Sequence, residues 1–157
     1  MEERYLYKAK RISDGEWIVG YLYRLSENNP PFIMLRKYGE SYEVDEHTIC
    51  RCTGSKDKND NLIWENDIAE LFGHRGVIKY VCGGFGIAYK TPIDWNGIEA
   101  NIKPITGCDN HLYACENDNY ISLWEIYWNF NDEDDSVDTV EVIGNIFGNK
   151  DLLESEE

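Results

Sequence analysis

The chain has 157 residues and a formal charge of −15, with eleven Tyr and five Trp spread along it. A chain of that length can form one domain without disulfides or a structural metal, and a composition rich in alternating aromatic and β-branched residues favours sheet over helix. The surplus of carboxylates argues against direct binding to nucleic acid, where affinity comes from Lys and Arg displacing phosphate counterions.

In chain order, the segment RYLYKAKRISDGEWIVGYLYRL carries two β-rich runs around Asp14-Gly15. That dipeptide readily supplies the positive φ of a tight turn, so a hairpin is expected. The prolines of ENNPPF exclude a regular element. A short apolar run, FIMLRKY, and the segment SYEVDEHTICRCTG follow, the latter ending strand-like before Gly54. After TGSKDKNDNLIWENDI, the run DIAELFG reads as a strand, and GVIKYVCGGFGIAYK as a second hairpin turning around Gly83, Gly84 and Gly86. Residues 91–120 contain Pro92, Pro104 and many Gly, Asn and Asp, and read as an insertion or long loop. In YISLWEIYWNF, Leu123, Ile126, Tyr127 and Phe130 would make a helical stripe while the composition suits a strand; periodicity leaves both open. Residues 132–136, DEDDS, read as an exposed acidic turn, VDTVEVIGNIFGN as a closing strand, and residues 149–157 as a short acidic tail. The expectation is one mostly β domain over residues 1–157: a small SH3-like barrel or several coiled antiparallel sheets, with at most one or two short helices.

The stretch TGSKDKNDNLIWENDI concentrates the candidate chemistry. Asp57, Asn59 and Asn61 have the spacing of the first ligands of a calcium loop, but such a loop needs Gly at its sixth position and an acid at its twelfth. Leu62 and Ile68 stand there, which rejects it. Glu65 and Asp67, two apart, would share one face of a strand and could hold a magnesium ion or act as paired carboxylates, though solvent-facing acids are common on surface strands. Asp60-Asn61 suits a two-residue turn, since both side chains tolerate the left-handed region. Cys50, Cys52 and His47, or Cys108, His111 and Cys115, lack the paired spacing of a zinc knuckle, and no base is placed beside a thiol by the sequence. CGGFG lacks the Lys and the following helix of a phosphate loop. Trp64, Trp95, Trp124 and Trp128 could line a groove, but large aromatics in a small β domain belong first to its core.

The segments GEWIVGYLY, VDEHTICRCTGSKDKNDNLIWENDI and VIGNIFGNKDLL, in that order, resemble the YopX family of proteins encoded by bacteriophages and prophages. Matching positions are Thr53, Gly54, Lys56, Asp57, Lys58, Asn59, Ile63, Glu65, Asp67 and Ile68, with Gly144 and Asn145 near the end. Cys52 stands where that pattern has an aromatic, and Asp60 and Asn66 stand where it has glycines. Asp and Asn are the residues best able to replace Gly at positive φ, so the departures fit a backbone requirement better than a side-chain chemistry. The resemblance implies coiled, SH3-like β sheets and implies no reaction, metal or cofactor.

Residues 131–157 hold ten acids and one base. Such a block is usually a solvated face or tail, and otherwise docks a basic partner or mimics nucleic acid charge. The opening MEERYLYKAKRISDG has no apolar run of a signal peptide, and nothing approaches the roughly eighteen apolar residues of a membrane span. The functional expectation is therefore a non-enzymatic phage or prophage accessory protein, cytoplasmic in the bacterial host, that binds an unidentified and basic host or phage protein, with no direct nucleic acid and no membrane partner. A divalent-metal or small-ligand enzyme using Glu65 and Asp67, and a structural component that forms homo-oligomers, are the alternatives.

Overall fold

The Asp14-Gly15 dipeptide turns the chain between β1 (Tyr7–Lys10) and β2 (Trp17–Tyr23), which pair antiparallel with Lys10 opposite Trp17. Gly15 takes φ +72°, as the sequence predicts for this turn. Arg11 Nε donates to Asp14 Oδ1 at 3.0 Å across its base. That bond, with the Glu16 N–H, holds the Asp14 carboxyl below the usual carboxylate range. Its contribution is present above the ordinary Asp pKa and is lost as pH falls through the lowered one.

The computed structural model describes residues 3–99, 119–130, 136–137 and 139–154. They fall into two compact units, Met1–Gly54 and Ser55–Glu157. In the first, β2 continues antiparallel into β3 (Phe32–Met34) and β4 (Ser41–Glu43). The first half of β5 (Cys50–Asp57) pairs with β1. Strand alternation turns Ala9, Ile33 and Val44 inward against Tyr7, Ile18, Leu22 and Ile49, and leaves Val19, Tyr21 and Tyr23 facing out.

In the second unit, β6 (Leu62–Trp64) pairs with β5, and so does the short parallel strand β11 (Ser136–Val137). An antiparallel sheet has the order β10-β9-β8-β7-β12, built from β7 (Asp67–Leu71), β8 (His74–Val81), β9 (Gly84–Ala88), β10 (Tyr120–Ser122) and β12 (Val140–Asn145). Two-residue loops join its first three strands: Phe72-Gly73 at φ +48° and +84°, and Cys82-Gly83 at +53° and +85°. Positive φ at both central residues matches the right-handed twist of the flanking strands. Gly84 and Gly86, expected in the second turn, belong instead to β9.

Ile78, Ile87, Ala69 and Leu71 of this sheet pack with Ile63, Ile121, Ile126 and Val140 in one buried cluster. The cluster also takes Trp95 and Ile98 from α1 (Trp95–Glu99), a helix capped by Asp94 Oδ1 accepting from the Asn96 N–H. Helices α2 (Leu123–Phe130) and α3 (Asp151–Glu154) complete the unit. The fold is thus mostly β with antiparallel sheets, as expected, and among the described residues the sheets stay open rather than closing into a barrel. No helix among these residues is long and apolar enough to cross a membrane. Most of the expected 91–120 loop and the acidic residues 132–135 lie outside the described residues.

Candidate functional site

Asp57, at the end of β5, is 0% exposed, and among the described residues its carboxylate is bonded wholly to backbone. Oδ1 accepts from the N–H groups of Asn59 and Asn61, each at 2.9 Å, and Oδ2 accepts from the Val142 N–H at 2.9 Å. The Asp60 N–H closes the loop onto the Asp57 carbonyl (3.0 Å), and the Asp57 N–H donates to the Asn61 carbonyl (2.8 Å). Asp60 itself takes φ +65°. This is a three-residue hairpin loop, a turn followed by one left-handed residue, and not the two-residue Asp60-Asn61 turn expected. A free carboxylate would be costly at zero exposure; three charge-assisted bonds offset that cost. The tip is also tied to β12 by the Lys58 N–H on the Val140 carbonyl (2.9 Å) and by the Lys58–Glu141 ion pair.

The Glu65-Asn66 corner joins β6 to β7, so Glu65 lies in a turn while Asp67 begins a strand. The two do not share a strand face, which corrects the paired-carboxylate expectation. Asp67 is 3% exposed, and its Oδ2 accepts from the Trp64 N–H at 2.8 Å, bracing the corner. Asn66 adopts φ +70°, donates its N–H to the Ile78 carbonyl (2.9 Å) and accepts from Lys79 Nζ at 2.7 Å. Both positions where Asp or Asn replaces a family glycine therefore sit in the left-handed region. Asp60→Gly should leave stability within about 1 kcal/mol of native, whereas Asp60→Val should lose about 1–3 kcal/mol, because a β-branched residue is strained there. Urea unfolding midpoints of the two variants measure the difference.

The remaining signature residues are also architectural. Thr53 is half-buried on β5, and Gly54 beside it has φ +81°, with the Arg4 Cβ 3.1 Å from where its own Cβ would lie. Gly144 follows a bulge in β12 and pairs with Ile68, while Asn145 pairs with Asp67. A Cβ on Gly144 would meet Asn149 Oδ1 at 2.6 Å. Asn145 Oδ1 accepts from the Phe147 and Gly148 N–H groups at 2.9 and 3.1 Å, ending the strand. The two distant signature segments are thus neighbouring strands of one sheet. Cys50 and Cys52 are buried thiols on β5, His47 is exposed, and the Cys108, His111 and Cys115 set lies outside the described residues. Among the described residues, no group of three or more His, Cys, Asp or Glu side chains gathers as a metal cluster would.

The helix α2 presents a different surface. Ser122 Oγ accepts from the Glu125 N–H at 3.1 Å, capping its first turn. Leu123 and Ile126 are buried, which resolves the helix-or-strand ambiguity in favour of the stripe; the side chain of Phe130 lies outside the described ones. On the opposite side Trp124 is 67% and Trp128 52% exposed, edge to face with ring centroids 5.3 Å apart. Tyr127 packs against Trp128 at 5.8 Å. Trp64 and Trp95 are buried as expected, but Trp124 and Trp128 are not core residues. The signal for this was in SLWE, a capping box at Ser122 and Glu125 that starts a helix and places positions 124 and 128 one turn apart, off the apolar stripe.

The family model described as YopX protein matches residues 21–154. No curated protein matches the chain.

Proposed function

The chain belongs to the YopX family, and from that premise we propose that it is a non-enzymatic phage or prophage accessory protein that docks a basic protein through the exposed tryptophan face of α2. The observation that carries this reading is the Trp124–Trp128 pair. Two large aromatics more than half exposed forgo burial that would be worth about 2–3 kcal/mol each, and Trp is the residue most enriched among interface anchors. Leu123 and Ile126 hold the helix in the core, so the rings are presented on a rigid element.

Charge selects the partner. Residues 55–157 carry twenty-one acids and seven bases, so the field around α2 attracts a Lys- or Arg-rich surface and speeds its encounter. Those side chains can also stack on the indole faces. The same charge opposes a second copy of this chain as occupant. What supports the non-enzymatic reading is that the Asp57 and Asp67 carboxylates accept from backbone N–H groups.

The test immobilises the intact chain and the Trp124→Ala/Trp128→Ala variant against lysate of induced host cells. The expected result is a basic protein retained by the native chain, released by raised salt, and lost from the variant while its thermal unfolding is unchanged. Equal retention by the variant, retention indifferent to salt, or retention only of copies of the chain itself would each overturn the reading.

A further inference from the structure

Apart from α2, one pocket in the second unit runs against the charge of its surroundings. We propose that it binds a small organic anion, a carboxylate, sulfonate or phosphate ester carried on a flat apolar body. The pocket encloses about 320 Å³ and is lined by Arg75, Val77 and Lys79 of β8, by Ala88 and the residues Tyr89–Thr91 that follow β9, and by Ile93 and Leu153. That volume falls at the small end of ligand-binding cavities, roughly 300–1,000 Å³.

Residues 55–157 hold only seven bases. Three of them, Arg75, Lys79 and Lys90, meet at this pocket, and among the described residues that line it none is an acid. The strand geometry produces the convergence. Arg75, Val77 and Lys79 are spaced two apart on β8 and share one face; Val77 pairs with Ala88, which puts Lys90, two residues on, at the Arg75 level. Arg75 is held by Glu70 Oε2, to which its Nε donates at 3.0 Å, and by the Leu152 carbonyl at 3.3 Å. Glu70 balances the Arg75 charge, so the excess positive charge is that of the two lysines. Lys79 Nζ donates to the neutral amide of Asn66, and among the described residues neither Lys79 nor Lys90 makes an ion pair.

Two uncompensated ammonium groups beside Val77, Ala88, Ile93 and Leu153 form a site with a charged end and an apolar floor. A ligand that matches it has an anionic head and an apolar body; a bare inorganic anion would leave the floor unused, and a neutral apolar molecule would leave the lysines unpaired. This inference is independent of the docking of a basic protein on α2, and the two fail separately.

The test titrates the full chain with 8-anilinonaphthalene-1-sulfonate and, in parallel, with N-phenyl-1-naphthylamine, which has the same body without the sulfonate. Expected is one saturable site for the sulfonate dye with much weaker binding of the neutral one. Lys90→Gln should weaken the sulfonate dye about tenfold, the loss of one charge-assisted contact, and Lys37→Gln, an exposed lysine of the first unit that is not among the lining residues, should not. Thermal unfolding of both variants at the native temperature confirms that the dye reads a folded pocket. Binding unchanged by Lys90→Gln, equal binding of the two dyes, or no saturable binding of the sulfonate dye would overturn the proposal. Trp124→Ala/Trp128→Ala should keep the dye site, so loss of basic-partner docking alone leaves this inference standing.

Discussion

Asp57→Ala is expected to cost about 3–5 kcal/mol of unfolding free energy, enough to remove much of the stability of a marginally stable fold. The substitution strips three backbone N–H groups, those of Asn59, Asn61 and Val142, of their acceptor at once. Each unsatisfied donor costs about 1–3 kcal/mol where water cannot reach it, and the half-buried ones fall at the low end. Two of the donors belong to the hairpin loop and the third to β12, so the loss loosens both the turn and its attachment to the sheet. Asp57→Asn separates the two effects. Its carbonyl oxygen can still serve Asn59 and Asn61, but its amide then points a donor at the Val142 N–H, and a loss of about 2 kcal/mol is expected. Urea unfolding with an unchanged denaturant slope measures both. A native midpoint for Asp57→Ala would mean that the carboxylate has no structural role and would reopen a chemical one.

Gly86→Ala is expected to cost about 3 kcal/mol or more. Gly86 lies within β9, opposite Ser122 of β10. A Cβ there would collide with the Ile121 carbonyl and would come within 2.5 Å of the Tyr120 Cζ and hydroxyl. The Tyr120 ring crosses this glycine to donate its hydroxyl to the Gly84 carbonyl at 3.2 Å. Added volume of this kind costs about 1–3 kcal/mol in a packed interior, and displacing the tyrosine forfeits about 1 kcal/mol more for its hydrogen bond. Tyr120→Leu alone is expected to cost less than Gly86→Ala. The double variant should recover part of the loss but not all, because the collision with the Ile121 backbone remains; a double-mutant cycle by chemical denaturation quantifies the coupling. Full additivity would show that the ring and the glycine do not depend on each other.

These two positions show how legible each part of the chain is. Asp57 was visible in the sequence as one of several acids in a turn-rich stretch, and the replacement of glycine by Asp60 and Asn66 pointed to positive φ at both, where the backbone now has it. Local chemistry was enough, because a left-handed residue and a side chain bonding its own turn depend on neighbours within a few positions. The partner of the other Asp57 oxygen, Val142, lies eighty-five residues away and no local pattern announces it. Gly86 was read as part of a turn because glycine clusters usually are; its real constraint is the ring of Tyr120, supplied by β10, thirty-four residues along the chain.

The same division holds for the surfaces. Capping at Ser122 and the spacing of Leu123 and Ile126 specify a helix, and with it the direction in which Trp124 and Trp128 point, so that face was encoded locally even where composition suggested core. The cation-lined pocket was not. Arg75, Lys79 and Lys90 are ordinary surface bases along the sequence, and only the pairing of Val77 with Ala88 brings them to one side of the sheet. The sequence by itself determined the β-rich class, the turns, the family signature and the acidic balance, because these follow from residue type and short-range spacing. The tertiary structure alone decided which carboxylates are consumed by backbone bonds, which glycines make room for a ring, and where the few bases converge, because each depends on strand register between residues far apart in the chain.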